Sequence, residues 1–239
     1  MNLRIDAMIW LPVLFLFISV PLLIRAQERV PRDIRQTWIW KPVSSALVIA
    51  VGALSLAQPP GAHDVIYTAL ILGGLLLSFA GDLLLIPPDN GRAFLAGLVA
   101  FLLAHVAYMA AFVYLHASRG FAFDVASDIV HAGALTLAAV GVYRYLGPGL
   151  GAMRLPVIAY MLVISAMVHR ALAIAFAHPG GALQPLLIAA GALLFYLSDA
   201  VLAINRFRFG NRLRGGKLAN LSTYYLGQVF IALSASFFA

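Results

Sequence analysis

The sequence predicts an all-α membrane protein, one polytopic domain over residues 1–239 with eight transmembrane helices. Three observations carry that reading. Of the 239 residues, 63% are hydrophobic and only 10% charged, whereas a soluble domain is nearer half apolar and a quarter charged. The apolar residues fall into eight runs of about 18–24 residues, the length a helix needs to cross a hydrocarbon core of about 30 Å. The basic residues gather in the connectors between alternate runs.

The first run, 7–24, resembles a signal peptide in position only. It is long for one, Arg25, Arg29, Arg32 and Arg35 follow it while Arg4 alone precedes it, and no A-x-A cleavage site follows, so it reads as a retained first helix. Runs at 38–57, 65–86, 93–116, 125–145, 155–177, 182–205 and 219–238 complete the set. Helix breakers separate them: Gln58-Pro59-Pro60-Gly61, Pro87-Pro88-Asp89-Asn90-Gly91, Gly147-Pro148-Gly149 and His178-Pro179-Gly180-Gly181.

The net charge of +7 could point to nucleic acid, but its placement does not. Thirteen of the 16 basic residues belong to the 1–2, 3–4, 5–6 and 7–8 connectors and their flanks, including Lys41, Arg92, Arg144, Arg154 and the stretch Arg206–Lys217. Only Arg4 and Arg119 serve the opposite face, and Arg170 lies within the sixth run. By the positive-inside rule the basic face is cytoplasmic and both termini are outside. In a bacterium the membrane would be the inner, plasma membrane. Trp38 and Trp40 suit an interfacial aromatic belt beside that face. With no cysteine, disulfides and thiolate chemistry are excluded.

Two stretches look like copies. Gly74 precedes Asp82 by eight residues in an apolar run, and Gly191 precedes Asp199 by the same interval. Lys41-Pro42-Val43 answers to Arg154-Leu155-Pro156-Val157, and Phe101 to His105 answers to Tyr224 to Gln228. The pattern is that of a parallel four-plus-four repeat, with chance likeness among leucine-rich helices as the alternative. A true repeat sets Asp82 opposite Asp199 across a central cavity, with His105 and Gln228 as a second pair.

Ionisable side chains inside membrane spans are costly, so each is a functional candidate. Asp82 and Asp199 lie roughly 6 and 9 Å from the basic face, counted along their runs at about 1.5 Å per residue. His105 with Tyr108, and Tyr224 with Gln228, share helix faces at i+3 and i+4. Bland readings compete with these. An intramembrane Asp can simply bridge to Lys or Tyr, and His105 can be a packing residue. Asp124, Asp128 and His131 read as solvated capping of the fifth helix. Arg170 reads as snorkelling to the outer interface.

At these residues the chain resembles the YhhN-like lysoplasmalogenase family of integral membrane hydrolases. The motifs are Trp40-Lys41-Pro42; Gly81-Asp82 through Pro87, then Gly97 and Ala104-His105 to Tyr108; Leu194-Phe195 through Ser198-Asp199 to Asn205-Arg206-Phe207; and Ser222-Thr223-Tyr224-Tyr225 to Gln228. The resemblance implies a hydrolase that cleaves the vinyl-ether bond of lysoplasmalogen to a fatty aldehyde and a glycerophospho-alcohol. It implies Asp82 and Asp199 as catalytic, with no cofactor and no metal. The partners are then lysoplasmalogen, water and membrane lipids, with no nucleic acid.

That chemistry suits the residues. Vinyl ethers hydrolyse by protonation at the carbon β to oxygen, giving an oxocarbenium ion that water attacks. Burial and a neighbouring carboxylate both favour the protonated carboxyl such a step needs, and glycosidases meet a similar cation with two carboxyls. The sequence reading makes Asp82 the general acid and Asp199 the base and cation stabiliser, with the reverse open. Lys41 and Arg206 receive the phosphate. Asn205 accompanies them as a substrate-binding residue, and Tyr224, Gln228, His105 and Tyr108 orient water and glycerol. Three rivals stand beside it. An aspartyl protease G-x-G-D signature would need glycine at Phe79. A zinc site could be drawn from His105, Asp82 and Asp199. A lipid or small-solute transporter using the same polar cavity would want helices broken at mid-membrane, whereas the prolines are expected at helix ends.

Overall fold

A computed structural model describes residues 3–58, 63–87, 90–120, 124–177 and 182–237. Pro59, Pro60, Gly61, Pro88, Asp89 and residues 178–181 fall outside the described residues, as do the side chains of Arg4 and Pro148. Eight helices are present among the described residues: α1 (Leu3–Glu28), α2 (Ile34–Leu54), α3 (Val65–Leu84), α4 (Gly91–Ser118), α5 (Val125–Leu146), α6 (Arg154–Ala177), α7 (Leu183–Phe207) and α8 (Gly216–Ser234). Four of them start on an Asp or Asn whose side chain accepts from backbone N–H groups of the first turn: Asp33, Asp64, Asn90 and Asp124. These residues satisfy donors that helix starts otherwise leave open.

Seven of the eight helices are long and apolar enough to cross a membrane; α8, of 19 residues, is not apolar enough. The reason is where it sits. α8 packs against α1, α2, α3 and α7, so Tyr224, Tyr225, Gln228 and Ser234 turn inward and are buried. α5 is the opposite case, burying only His131, Leu135 and Leu146. A helix wrapped by its neighbours can carry polar groups that a lipid-facing one cannot.

The packing order follows the four-plus-four pattern. α3 lies on α4 as α7 lies on α8, α2 on α3 as α6 on α7, and α8 crosses to α2 as α4 crosses to α6. Gly74 and Gly191 occupy matching places. A Cβ on Gly74 would come 2.3 Å from the Tyr108 ring, and one on Gly191 would come 2.9 Å from the Gly227 carbonyl oxygen. Only glycine lets α7 and α8 touch backbone to backbone there, the small-residue packing that membrane helices favour.

Two sequence expectations change. Pro12 and Pro21 lie inside α1, and Pro42 inside α2, rather than at helix ends; α1 stays one continuous helix through both. Asp128 and His131 are not solvated caps. Asp128 Oδ1 lies 3.6 Å from His169 Nε2 and 3.5 Å from an Arg170 guanidinium nitrogen, tying α5 to α6, and the buried His131 ring lies against Phe176. Arg170 is therefore an interhelical ion-pair partner. Asp124 caps α5 as expected.

Candidate active site

Asp82 sits in the last turn of α3, nearer the helix end than the sequence suggests, because the helix stops at Leu84 and not at residue 86. It is only 2% exposed and all its partners donate to it. Lys41, on α2 and 5% exposed, places Nζ 3.2 Å from Oδ1 and 3.0 Å from the Asp82 carbonyl oxygen. Ser45, one turn on from Lys41, donates to Oδ2 at 2.6 Å, and Tyr224 of α8 donates to the same oxygen at 2.7 Å. Both carboxylate oxygens are thus occupied.

A second layer holds these groups. Gln228 donates to the Tyr224 hydroxyl at 3.2 Å and accepts from Tyr108 at 2.8 Å. Tyr225 lies 3.2 Å from the Ser45 hydroxyl. Tyr108 and Gln228 are fully or almost fully buried and stand behind Tyr224, off the cavity wall. They position Tyr224 and bridge α4 to α8. His105 and Gln228 do not pair with each other.

Asp199, on α7, is built from the other pair of helices. Tyr160 of α6 donates to Oδ2, and His105 Nε2 of α4 lies 3.3 Å from the same oxygen and 2.9 Å from the Tyr160 hydroxyl. His105 is fully buried and its Nδ1 has no hydrogen-bond partner among the described residues. Oδ1 of Asp199 takes no hydrogen bond among the described residues, and Asp199 is more open than Asp82, at 15% exposure of its side chain.

The two aspartates line one cavity of about 740 Å³. No hydrogen bond joins the two carboxyls among the described residues, so each answers to its own partners. The mouth is cationic: Arg29, Arg32, Arg206, Arg212, Arg214 and Lys217 line it, brought there by the 1–2 and 7–8 connectors. Arg206 lies 3.7 Å over the Phe94 ring. Arg32 Nε is buried without a hydrogen-bond partner among the described residues, and burial pushes its guanidinium down from its ordinary value. Lys217, ahead of the apolar stretch 219–238, is pushed down to about 8 by burial and by the nearby charges of Arg32, Lys41 and Arg206. An electropositive, partly desolvated pocket of this kind suits a phosphate.

Sequence reasoning placed Asp82, Asp199, Lys41, Arg206, Tyr224 and His105 at this site or directly on its carboxylates. Asn205 is elsewhere in role: its side-chain oxygen accepts from Leu213 N at 3.0 Å and pins the 7–8 connector. Lys41 lines the cavity, and its ammonium is engaged by Asp82. The reading missed Tyr160, Ser45 and Arg32. Tyr160 lies five residues past Leu155 in the apolar first half of α6. A tyrosine hydroxyl among apolar neighbours was the available signal. Among the described residues no three His, Asp or Glu side chains converge closely enough to hold a metal, so the zinc arrangement of His105, Asp82 and Asp199 is not formed.

Fold and site define a class: a polytopic helical membrane protein with one buried and one partly buried carboxyl in a polar chamber under a cationic mouth. The YhhN family model matches residues 36–235, and the chain belongs to that family. It is 34% identical to human lysoplasmalogenase TMEM86B over 212 residues, 86% of this chain and 79% of the relative. It is 33% identical to human lysoplasmalogenase TMEM86A over 168 residues, 69% of this chain and 64% of the relative. A lysoplasmalogenase from Mycobacterium bovis is 31% identical over 169 residues, 70% of this chain and 59% of the relative. No solved structure matches the chain.

Removing one member of a buried ion pair leaves the other uncompensated and costs about 3–5 kcal/mol. Lys41→Met is therefore expected to lower the thermal unfolding midpoint in detergent sharply, and adding Asp82→Asn to it is expected to recover much of the loss. Equal midpoints for Lys41→Met and wild type would show that the pair is not what holds α2 on α3.

Proposed function

We propose that this protein is a lysoplasmalogen hydrolase, cleaving the vinyl-ether bond to a fatty aldehyde and a glycerophospho-alcohol. The observation that carries it is one cavity holding both aspartates below a cluster of arginines, in a chain of the same family as lysoplasmalogenases.

The partner sets support a division of the work in which the roles read from sequence are exchanged. Asp82 has both oxygens filled by Lys41, Ser45 and Tyr224, so it serves as a fixed acceptor that faces the developing cation and holds the Tyr224 hydroxyl towards the cavity. Asp199 lines the cavity and leaves Oδ1 without a hydrogen bond among the described residues. In its protonated form Asp199 gives its proton to the carbon β to the ether oxygen. The electron pair of the double bond forms the new C–H bond and leaves an oxocarbenium ion. Water then adds to the cationic carbon and returns a proton to Asp199, with His105 and Tyr160 holding Oδ2 throughout. The resulting hemiacetal then collapses: its C–O bond to glycerol breaks, its hydroxyl gives up a proton to become the aldehyde carbonyl, and the departing glycerol oxygen takes up a proton to leave as the alcohol. Arg32, Arg206 and Lys217 receive the phosphate. Water enters through the same mouth.

The site is proposed to open on the cytoplasmic side with both termini outside, because the basic connectors surround the cavity mouth. The chain has no cysteine, so one introduced at a time reports its side cleanly. Phe209→Cys is expected to react with a membrane-impermeant maleimide only in opened cells, and Val125→Cys in intact ones. The opposite pattern inverts the topology.

For the chemistry, purified protein is given lysoplasmalogen and aldehyde release is followed. Asp82→Asn and Asp199→Asn are each expected to lose about 10²–10⁴-fold, the range of general acid–base catalysis; Asp199→Asn should keep the wild-type unfolding midpoint, and Asp82→Asn, which strands Lys41, is assayed below its lowered midpoint and again in the Lys41→Met background. Release at the wild-type rate from both variants would falsify the two-carboxyl mechanism. The mouth makes its own prediction. Lys217 is charged below about pH 8 and neutral above it, so KM for the phosphate-bearing substrate rises as pH climbs through that value. Lys217→Arg, charged throughout, should flatten the rise; an unchanged profile would remove Lys217 from headgroup binding.

A further inference from the structure

Asp199 belongs to two spaces at once. Besides the polar cavity it lines an apolar slot of about 70 Å³ between α4, α5, α6 and α7, walled by Leu98, Val142, Met161, Ile164 and Ala203. Slot and cavity share Leu85, Phe94, Phe101, Leu202 and Asp199, so they adjoin at the Asp199 side chain. A larger apolar groove of about 740 Å³ runs between α1 and α8. It meets the polar cavity only at Glu28 and Arg29, both at the rim.

Resting on the reading of the site as a vinyl-ether hydrolase, we infer that the slot between α4 and α7 takes the substrate's alkenyl chain, and that Met161 and Ala203 set its width. The argument is one of connectivity. The double bond to be protonated is the first bond of the chain, so the hydrocarbon must leave from the atoms at Asp199. The slot begins there. The α1–α8 groove begins beside the headgroup cluster and would carry a chain past the wrong end of the molecule. The slot's size admits the first few methylenes; beyond them lies α5, which buries little of itself, so the rest of the chain stays in lipid along that helix. Headgroup in the cationic mouth, ether at Asp199 and chain in the slot make one uninterrupted line.

The test uses the full-length protein in detergent and a lysophospholipid carrying a photoreactive diazirine in its chain. Labelling is expected on the α5 and α6 peptides around Val142 and Met161, and Ala203→Phe, which fills the slot, should abolish it. Label on α1 and α8, or no label at all, overturns the assignment. This readout needs no turnover, so it stands even if wild type releases no aldehyde. In the activity arm, Ala203→Phe and Met161→Trp should lower kcat/KM for a long-chain lysoplasmalogen by about tenfold or more, the scale of steric discrimination in an apolar pocket. A short-chain, water-soluble vinyl ether should be cleaved as by wild type, and Leu226→Trp in the other groove should change neither. Equal loss on long and short substrates, or loss in Leu226→Trp alone, refutes the slot.

Discussion

The buried pair of Lys41 and Asp82 constrains the rest of this structure. A carboxylate and an ammonium taken out of water are tolerable only if each is compensated, and here the compensation comes from several helices. Lys41 and Ser45 come from α2, and Tyr224 comes from α8. Behind them Gln228 and Tyr108 extend the network to α4. The register of α2, α3, α4 and α8 is therefore set by hydrogen bonds that tolerate little displacement. Apolar packing alone would allow these helices to slide.

The pseudo-repeat explains how two similar acids come to differ. Each aspartate is held by the helix before its own and by the last helix of the opposite half: Asp82 by α2 and α8, Asp199 by α6 and α4. Neither half contains a finished site. At matching places the chain then diverges. Lys41 answers to Leu155, and His105 to Gln228. One half supplies a lysine that fills an oxygen of Asp82; the other supplies none and leaves an oxygen of Asp199 open. Matching helix pairs thereby present one carboxyl with both oxygens bonded and one with an oxygen free of hydrogen bonds among the described residues.

Much of this was legible in the sequence. Hydropathy gave the helices within a few residues, since lipid allows few alternatives to a continuous helix. The costly intramembrane aspartates flagged the site for the same reason. What escaped was whatever depends on which way a side chain turns. Tyr160 and Ser45 are ordinary residues in apolar helices until neighbours are known. Asn205 sits in a motif beside Arg206 yet turns to the connector, and Tyr108 stands one layer behind the wall. The apolarity of α8 was overestimated because burial by protein, not lipid, surrounds its polar face.

The position of Asp199 at the seam between a wet chamber and a greasy slot also bears on what happens after the bond breaks. On the proposed reading, an intact amphiphile lying across that seam is held at both ends. Scission there leaves two fragments, each anchored by one end only and each matched to a different medium. The phosphorylated alcohol faces the aqueous mouth, and the aldehyde faces the bilayer beside α5. Departure of both is thus favoured by the cut itself, without a separate conformational step to expel them.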